Sequence, residues 1–87
     1  MAIIKEVTYS EDFKIQIVTS APDLLVFVTK NRYEADKSDA VWYFDNSSTA
    51  KKIKFVSYSP DLKIQYVNSK NQAGWKNKTH KLQNRIG

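Results

Sequence analysis

The residues able to do chemistry are few and scattered. The sequence carries one histidine, His80, and no cysteine. A lone imidazole excludes a multi-histidine metal site, and the missing thiols exclude a disulfide framework, a thiol nucleophile and cysteine-ligated zinc. His80 lies between Thr79 and Lys81, and residues 74–87 hold no acid. A Ser-His-Asp arrangement would need a distant partner that nothing in the sequence names. An ordinary surface or tail histidine is the expectation. Glu34, Asp36 and Asp39 put three carboxylates within one loop, as hard cations such as calcium require, but Lys37 sits among them and the spacing is no EF-hand. A solvated turn is expected there. Asp23 and Asp61 each follow a proline in related turns. That predicts a geometric role, with Pro presetting φ and Asp accepting nearby backbone N–H groups. The two glycines, at 74 and 87, leave no phosphate-cradling loop.

A second set combines charge with aromatic faces. Lys30, Arg32 and Tyr33 are near neighbours, and Lys76, Lys78, Lys81 and Arg85 form a basic C-terminal stretch. Cations interleaved with stacking platforms suit single-stranded nucleic acid. These seven residues are the candidate nucleic-acid contacts. The chain has twelve Lys against two Arg, whereas surfaces that read base sequence favour the bidentate Arg fork. The net charge of +5 is unevenly placed. Residues 1–73 hold ten basic and nine acidic side chains, so the four cations of residues 74–87 carry almost all of the excess. The body of the chain is near neutral, which argues against a basic domain.

The elements that must position these groups are strands. At 87 residues and 41% apolar the chain can bury one modest core. Phe13-Lys14-Ile15-Gln16-Ile17, Lys52-Ile53-Lys54-Phe55 and Leu62-Lys63-Ile64-Gln65-Tyr66 alternate apolar with polar. Period 2 with branched and aromatic residues marks a half-buried strand. A shift of 38 aligns residues 14–35 with 52–73 without gaps, and seven of 22 positions are identical, among them Pro22/Pro60 and Asp23/Asp61. A finer period of 11 relates units within each half, and Ala40 to Phe44 supplies one more unit between the halves. Five strands follow, with Ile3 to Thr8 as a degenerate sixth. The register predicts a core in three levels. The first is Phe13, Leu24 and Leu62. The second is Ile15, Val26, Trp42, Ile53 and Ile64, and the third is Ile17, Val28, Phe44, Phe55 and Tyr66. Leu25, Phe27, Val41 and Tyr43 make two strands apolar on both faces, so their second face is expected to be covered. The connections lack the Asn-Gly type of dipeptide that tight hairpins use, and links to non-neighbouring strands are allowed.

Val28-Thr29-Lys30-Asn31-Arg32-Tyr33-Glu34-Ala35-Asp36, Val41-Trp42-Tyr43-Phe44 and Gln72-Ala73-Gly74-Trp75-Lys76-Asn77-Lys78 resemble the septoil-knot family of small bacterial β-proteins. The resemblance spans about residues 12–78. It implies a compact β fold whose backbone forms a knot with seven crossings. Knots are otherwise nearly absent from proteins, and nothing in the periodicity implies one. The aromatic and acidic turn residues are lost at Ala21-Pro22-Asp23, Thr49-Ala50-Lys51 and Ser59-Pro60-Asp61. The resemblance implies no activity and no catalytic residue.

The expected chain is a small all-β domain of five to six short repeated strands over residues 1–78, with a basic tail over 79–87. Trp75, Leu82 and Ile86 are spaced i, i+7, i+11 and would share a face if the tail were helical. The favoured reading is an extended tail anchored by Trp75 as far as Lys78, with the last residues loose. No run approaches the roughly 20 apolar residues of a membrane span, and the first residues are no signal peptide, so the expected location is the cytoplasm. A monomer is expected, without cofactor, metal or catalytic site. The expected role is a non-catalytic interaction module for an unidentified partner, a protein being favoured over nucleic acid. Weak nucleic-acid binding through the basic tail is the alternative.

Overall fold

The computed structural model describes residues 2–35 and 38–86. Its strands are β1 (Ile3–Glu6), β2 (Phe13–Ile17), β3 (Leu24–Val28), β4 (Val41–Phe44), β5 (Lys51–Phe55), β6 (Leu62–Tyr66) and the short β7 (Gly74–Trp75). Two 3-10 turns, Arg32–Ala35 and Lys70–Gln72, are the only helical pieces among the described residues. The domain is all-β, as the alternation predicts.

Six strands close into a parallel barrel. Around the ring β1 is followed by β5, β2, β6, β3 and β4, and β4 pairs back to β1. Strands from the two halves of the chain therefore alternate around the whole ring. β5 lies between β1 and β2, and β6 lies between β2 and β3. Parallel strands ordinarily need a crossover of a dozen or more residues. Here six residues join β1 to β2, because the registers are steeply staggered. Ile53 faces both Glu6 at the end of β1 and Phe13 at the start of β2. Ile15 likewise faces Phe55 and Leu62, and Ile64 faces Ile17 and Leu24. Each new strand thus begins level with the end of the last, so the chain need not return along the barrel. Such a large shear goes with strongly tilted strands and a filled interior.

The 38-residue shift is fuller than the sequence alignment. It carries β1 onto β4, β2 onto β5 and β3 onto β6, residue for residue. Ile3 to Glu6 is accordingly a complete strand paired on both edges, not a degenerate unit. Even the caps repeat: the Asn31 amide oxygen accepts the Tyr33 N–H, and the Ser69 hydroxyl accepts the Asn71 N–H. The connections turn without glycine by placing Ser10, Ala21 and Ser59 at φ of 59°, 52° and 50°. Ala21 and Ser59 are related by the same shift.

The first two expected core levels are inside. Ile15, Leu24, Val26, Trp42, Leu62 and Ile64 are fully buried, Ile53 nearly so, and Ile4 joins them from β1. Each buried side chain of this size contributes about 1.5–3 kcal/mol. Phe13 and Phe55 are half-buried against this cluster. The third level is corrected: Ile17 is 51% exposed, Val28 42%, Phe44 37% and Tyr66 39%. These residues keep the inward phase but end their strands, at the open end of the barrel. The second face of β4 is covered as expected, with Val41 buried and Tyr43 half-buried. Tyr43 packs with Ile3, Ala35 and Ala50 in a small second cluster at the seam between β1 and β4.

The end of the chain departs from expectation. The residues beyond Lys78 are not loose. Ile86 is 1% exposed and belongs to the main core, and Leu82 packs beside it. The i, i+7, i+11 spacing of Trp75, Leu82 and Ile86 does mark the three side chains that meet at the core, but the segment that brings them there is a series of turns and not a helix.

Candidate functional site

The barrel's strand-start end gathers most of the aspartates. Asp12, Asp23 and Asp61 each stand one residue before a strand and beside a lysine of the neighbouring one. The Asp12 N–H donates to the Lys52 carbonyl at 2.7 Å, and its carboxylate accepts the Lys52 N–H at 3.0 Å. Asp23 does the same with Lys63, at 2.8 and 3.1 Å, and Asp61 with Lys14, both at 2.8 Å. A parallel ladder leaves its first N–H without a strand partner, and the carboxylate takes that place. The geometric role expected of Asp23 and Asp61 is therefore what the structure gives. Asp12 serves equally, although no proline precedes it. At the fourth related position stands Ala50, which packs against Ile3 instead.

Asp39, one of the three loop carboxylates, is 9% exposed and is no solvated turn residue. Its carbonyl accepts the Trp42 indole N–H at 2.6 Å. Its carboxylate accepts the Trp75 indole N–H at 3.0 Å, the Asn84 N–H, and the Ile86 N–H at 3.2 Å. Of the other two loop carboxylates, Glu34 turns to Thr29 and Lys70, at 2.7 and 2.8 Å, and Asp36, like Lys37, lies outside the described residues. Lys70 first, then Thr29, holds the Glu34 carboxyl below its ordinary range through hydrogen bonds. Burial, with the nearby Glu6 charge adding to it, pushes the Tyr66 hydroxyl up.

His80 is not a surface histidine. Its ring stacks on Trp75 with centroids 5.4 Å apart, and its Nδ1 accepts the Leu82 N–H at 3.1 Å. Nε2 faces the Asp23 carboxylate at 3.7 Å. The same Asp23 holds the start of the tail, its carbonyl accepting the Lys76 and Asn77 N–H groups at 2.8 and 3.0 Å. Two aspartates thus fasten residues 76–86 across the strand-start end, Asp23 at the near end and Asp39 at the far one.

The candidate nucleic-acid residues divide between the two ends of the barrel. Lys30, Arg32 and Tyr33 follow the end of β3, and Tyr33 is 81% exposed. Arg32 pairs with Asp45 at 3.5 Å. Lys76 and Lys78 border an open depression of about 500 Å³ beside Leu25 and Trp75. Lys81 and Arg85 instead join Lys51 around Phe13, in a second depression of about 440 Å³. The structure does not bring the seven together. Lys51 is a cation that no sequence pattern flags, because where the tail docks is not legible in the sequence. Among the described residues no three His, Cys, Asp or Glu side chains converge, and every buried side-chain N or O has a hydrogen-bond partner. No helix among them is long and apolar enough to cross a membrane.

No curated protein and no solved structure matches the chain. A family model does: the 7(1) septoil knot domain matches residues 1–76. That covers all seven strands and stops where the tail begins, and the chain belongs to the septoil knot domain family.

Proposed function

We propose that the chain is a non-catalytic interaction module, built as a rigid knotted scaffold and acting as a monomer on a protein partner in the cytoplasm. One observation carries the reading: Asp12, Asp23, Asp39 and Asp61 all accept backbone N–H groups. Carboxylates held by fixed main-chain donors serve rigidity, whereas a general acid or base must exchange a proton with substrate. The knot is supported by the match to the septoil knot domain. The ring order fits it, since each connection within one half of the chain passes a strand of the other half. The test is affinity capture from the native cell, with and without nuclease. The reading expects a partner that survives nuclease treatment. A partner that disappears with the nuclease would overturn it.

That disappearance is what the second reading, weak nucleic-acid binding, expects. Its support is the meeting of Lys81 and Arg85 with Lys51 and, separately, exposed Tyr58 beside Lys14 and Lys54. Deleting the tail is a poor test, because Ile86 would leave the core with it. Replacing Lys81 and Arg85 by Gln removes the charge and keeps most of each stem around Phe13. Under this reading the slope of affinity against salt falls by about one for each phosphate no longer bound. An unchanged slope would remove the tail from the interface.

A further inference from the structure

We propose that the strand-start end of the barrel is a peptide-recognition site, which the chain's own residues 80–86 occupy in cis. The partner it fits is a basic linear segment of another protein, with two aliphatic side chains four residues apart, like Leu82 and Ile86. The inference rests on the reading as an interaction module and deepens it by naming a partner class.

The segment lies on the barrel as a bound peptide does. It has no strand or helix, and its internal bonds are local turns: Gln83 N–H to the His80 carbonyl at 3.2 Å and Arg85 N–H to the Leu82 carbonyl at 3.0 Å. It inserts one fully buried side chain, Ile86, into the main core. Its Asn84 and Ile86 N–H groups, two residues apart, converge on the one Asp39 carboxylate. Two main-chain N–H groups held on one carboxylate, with a buried seat for one side chain, combine main-chain affinity with side-chain specificity. The segment docks as a turn, with Asn84 at a φ of 65°, and not as an added strand. The receptor side belongs to the barrel. Asp39 precedes β4, Asp23 precedes β3, and Trp75 orients the Asp39 carboxylate through its indole N–H. The family match ends at residue 76, so the occupant lies outside the matched domain while the receptor lies inside it. The exposed run Lys76–Thr79 tethers the occupant. A short tether gives an effective concentration near the millimolar range, so a partner segment must outcompete the tail.

The probe is a fluorescent peptide of residues 76–87, titrated into the full chain as wild type and as Ile86→Asp. That substitution ejects the resident side chain and leaves the receptor residues unchanged. Saturable binding to the Ile86→Asp chain is expected, about ten-fold or more tighter than to wild type. A peptide carrying Asp in place of the isoleucine is expected not to bind. A folded Ile86→Asp chain that ignores the peptide would overturn the proposal. An Ile86→Asp chain unable to fold would overturn it too, since the tail would then be core and not ligand. Hydrogen exchange on the unmodified protein gives an independent answer. The Asn84 and Ile86 amides are expected to open locally, before those of Val18 and Val56, which close rungs of the barrel. Exchange of all four only on global unfolding would contradict a displaceable occupant. Self-association of the wild type that the peptide dissolves would overturn occupation in cis, the occupant then being a second copy. The peptide result can fail while nuclease-resistant capture succeeds, so the two readings fail separately.

Discussion

At the residue scale, one device recurs at three places: an aspartate before a strand gives its N–H to a neighbouring lysine's carbonyl and takes that lysine's N–H on its carboxylate. Asp61→Ala leaves the Lys14 N–H to water and is expected to cost about 1 kcal/mol, whereas Asp61→Asn keeps an acceptor oxygen and most of the stability. Urea denaturation of both variants checks this. Equal losses would show that the carboxylate's charge matters rather than its oxygen. Asp23 and Asp61 are legible in the sequence because the repeat brings them into register after Pro22 and Pro60. Asp12 has no such flag, and Asp39 hides among loop acids because its partners Asn84 and Ile86 lie far along the chain. Two ionisable groups make stability depend on pH. Glu34 is held below its ordinary value of 4.5, so the unfolded chain binds more protons in the acid range. Its contribution is complete above the unfolded value and is lost as pH falls through the lower folded one. Tyr66 is raised above 10.0, so its contribution is complete below that value and is lost as pH rises through the folded one. Glu34→Gln is expected to flatten the acid limb of a stability–pH curve, and Tyr66→Phe the alkaline limb. Unchanged limbs would refute both assignments.

At the scale of elements, the strands are readable in the sequence and their neighbours are not. Alternation around Ile15, Ile53 and Ile64 marks three strands directly, since period 2 is a local property. Which strand lies beside which depends on pairings such as Ile4 with Lys51, which no local pattern encodes. The first two core levels follow from phase alone. The third fails because Ile17, Val28, Phe44 and Tyr66 keep the phase but run out of covering chain. The tail is legible only in part: the spacing of Trp75, Leu82 and Ile86 marks an apolar face, but their docking on the core depends on distant partners such as Asp39. The turns offer a quantitative check. Ser59 adopts a φ of 50°, where glycine carries no Cβ penalty. Ser59→Gly is therefore expected to stabilise by up to about 1 kcal/mol in thermal or urea unfolding, with a loss of similar size contradicting the strained turn. In the centre of the barrel Ile53→Ala is expected to cost about 2–5 kcal/mol, the range for emptying a filled site. A cost well under about 1 kcal/mol would mean that Ile53 is not the packed contact between β1 and β2 that its register implies.

At the scale of the whole molecule, the charge and the topology separate. The formal charge of +5 rests mainly on Lys76, Lys78, Lys81 and Arg85, and the docked tail spreads these over one end of a nearly neutral barrel. The topology interleaves two related halves, with every barrel pairing parallel and almost all of them distant in sequence. Long-range pairing of this kind makes folding slow. The proposed knot would add a second constraint, because an end must then be rethreaded. Pulling the chain from both termini in an optical trap tests the proposed knotted scaffold most directly. A free chain lengthens by roughly 3.3–3.6 Å for every residue released. The knotted barrel is expected to stop short of that full length, by the chain held in the tightened knot. Extension to the full length of all 87 residues would contradict it.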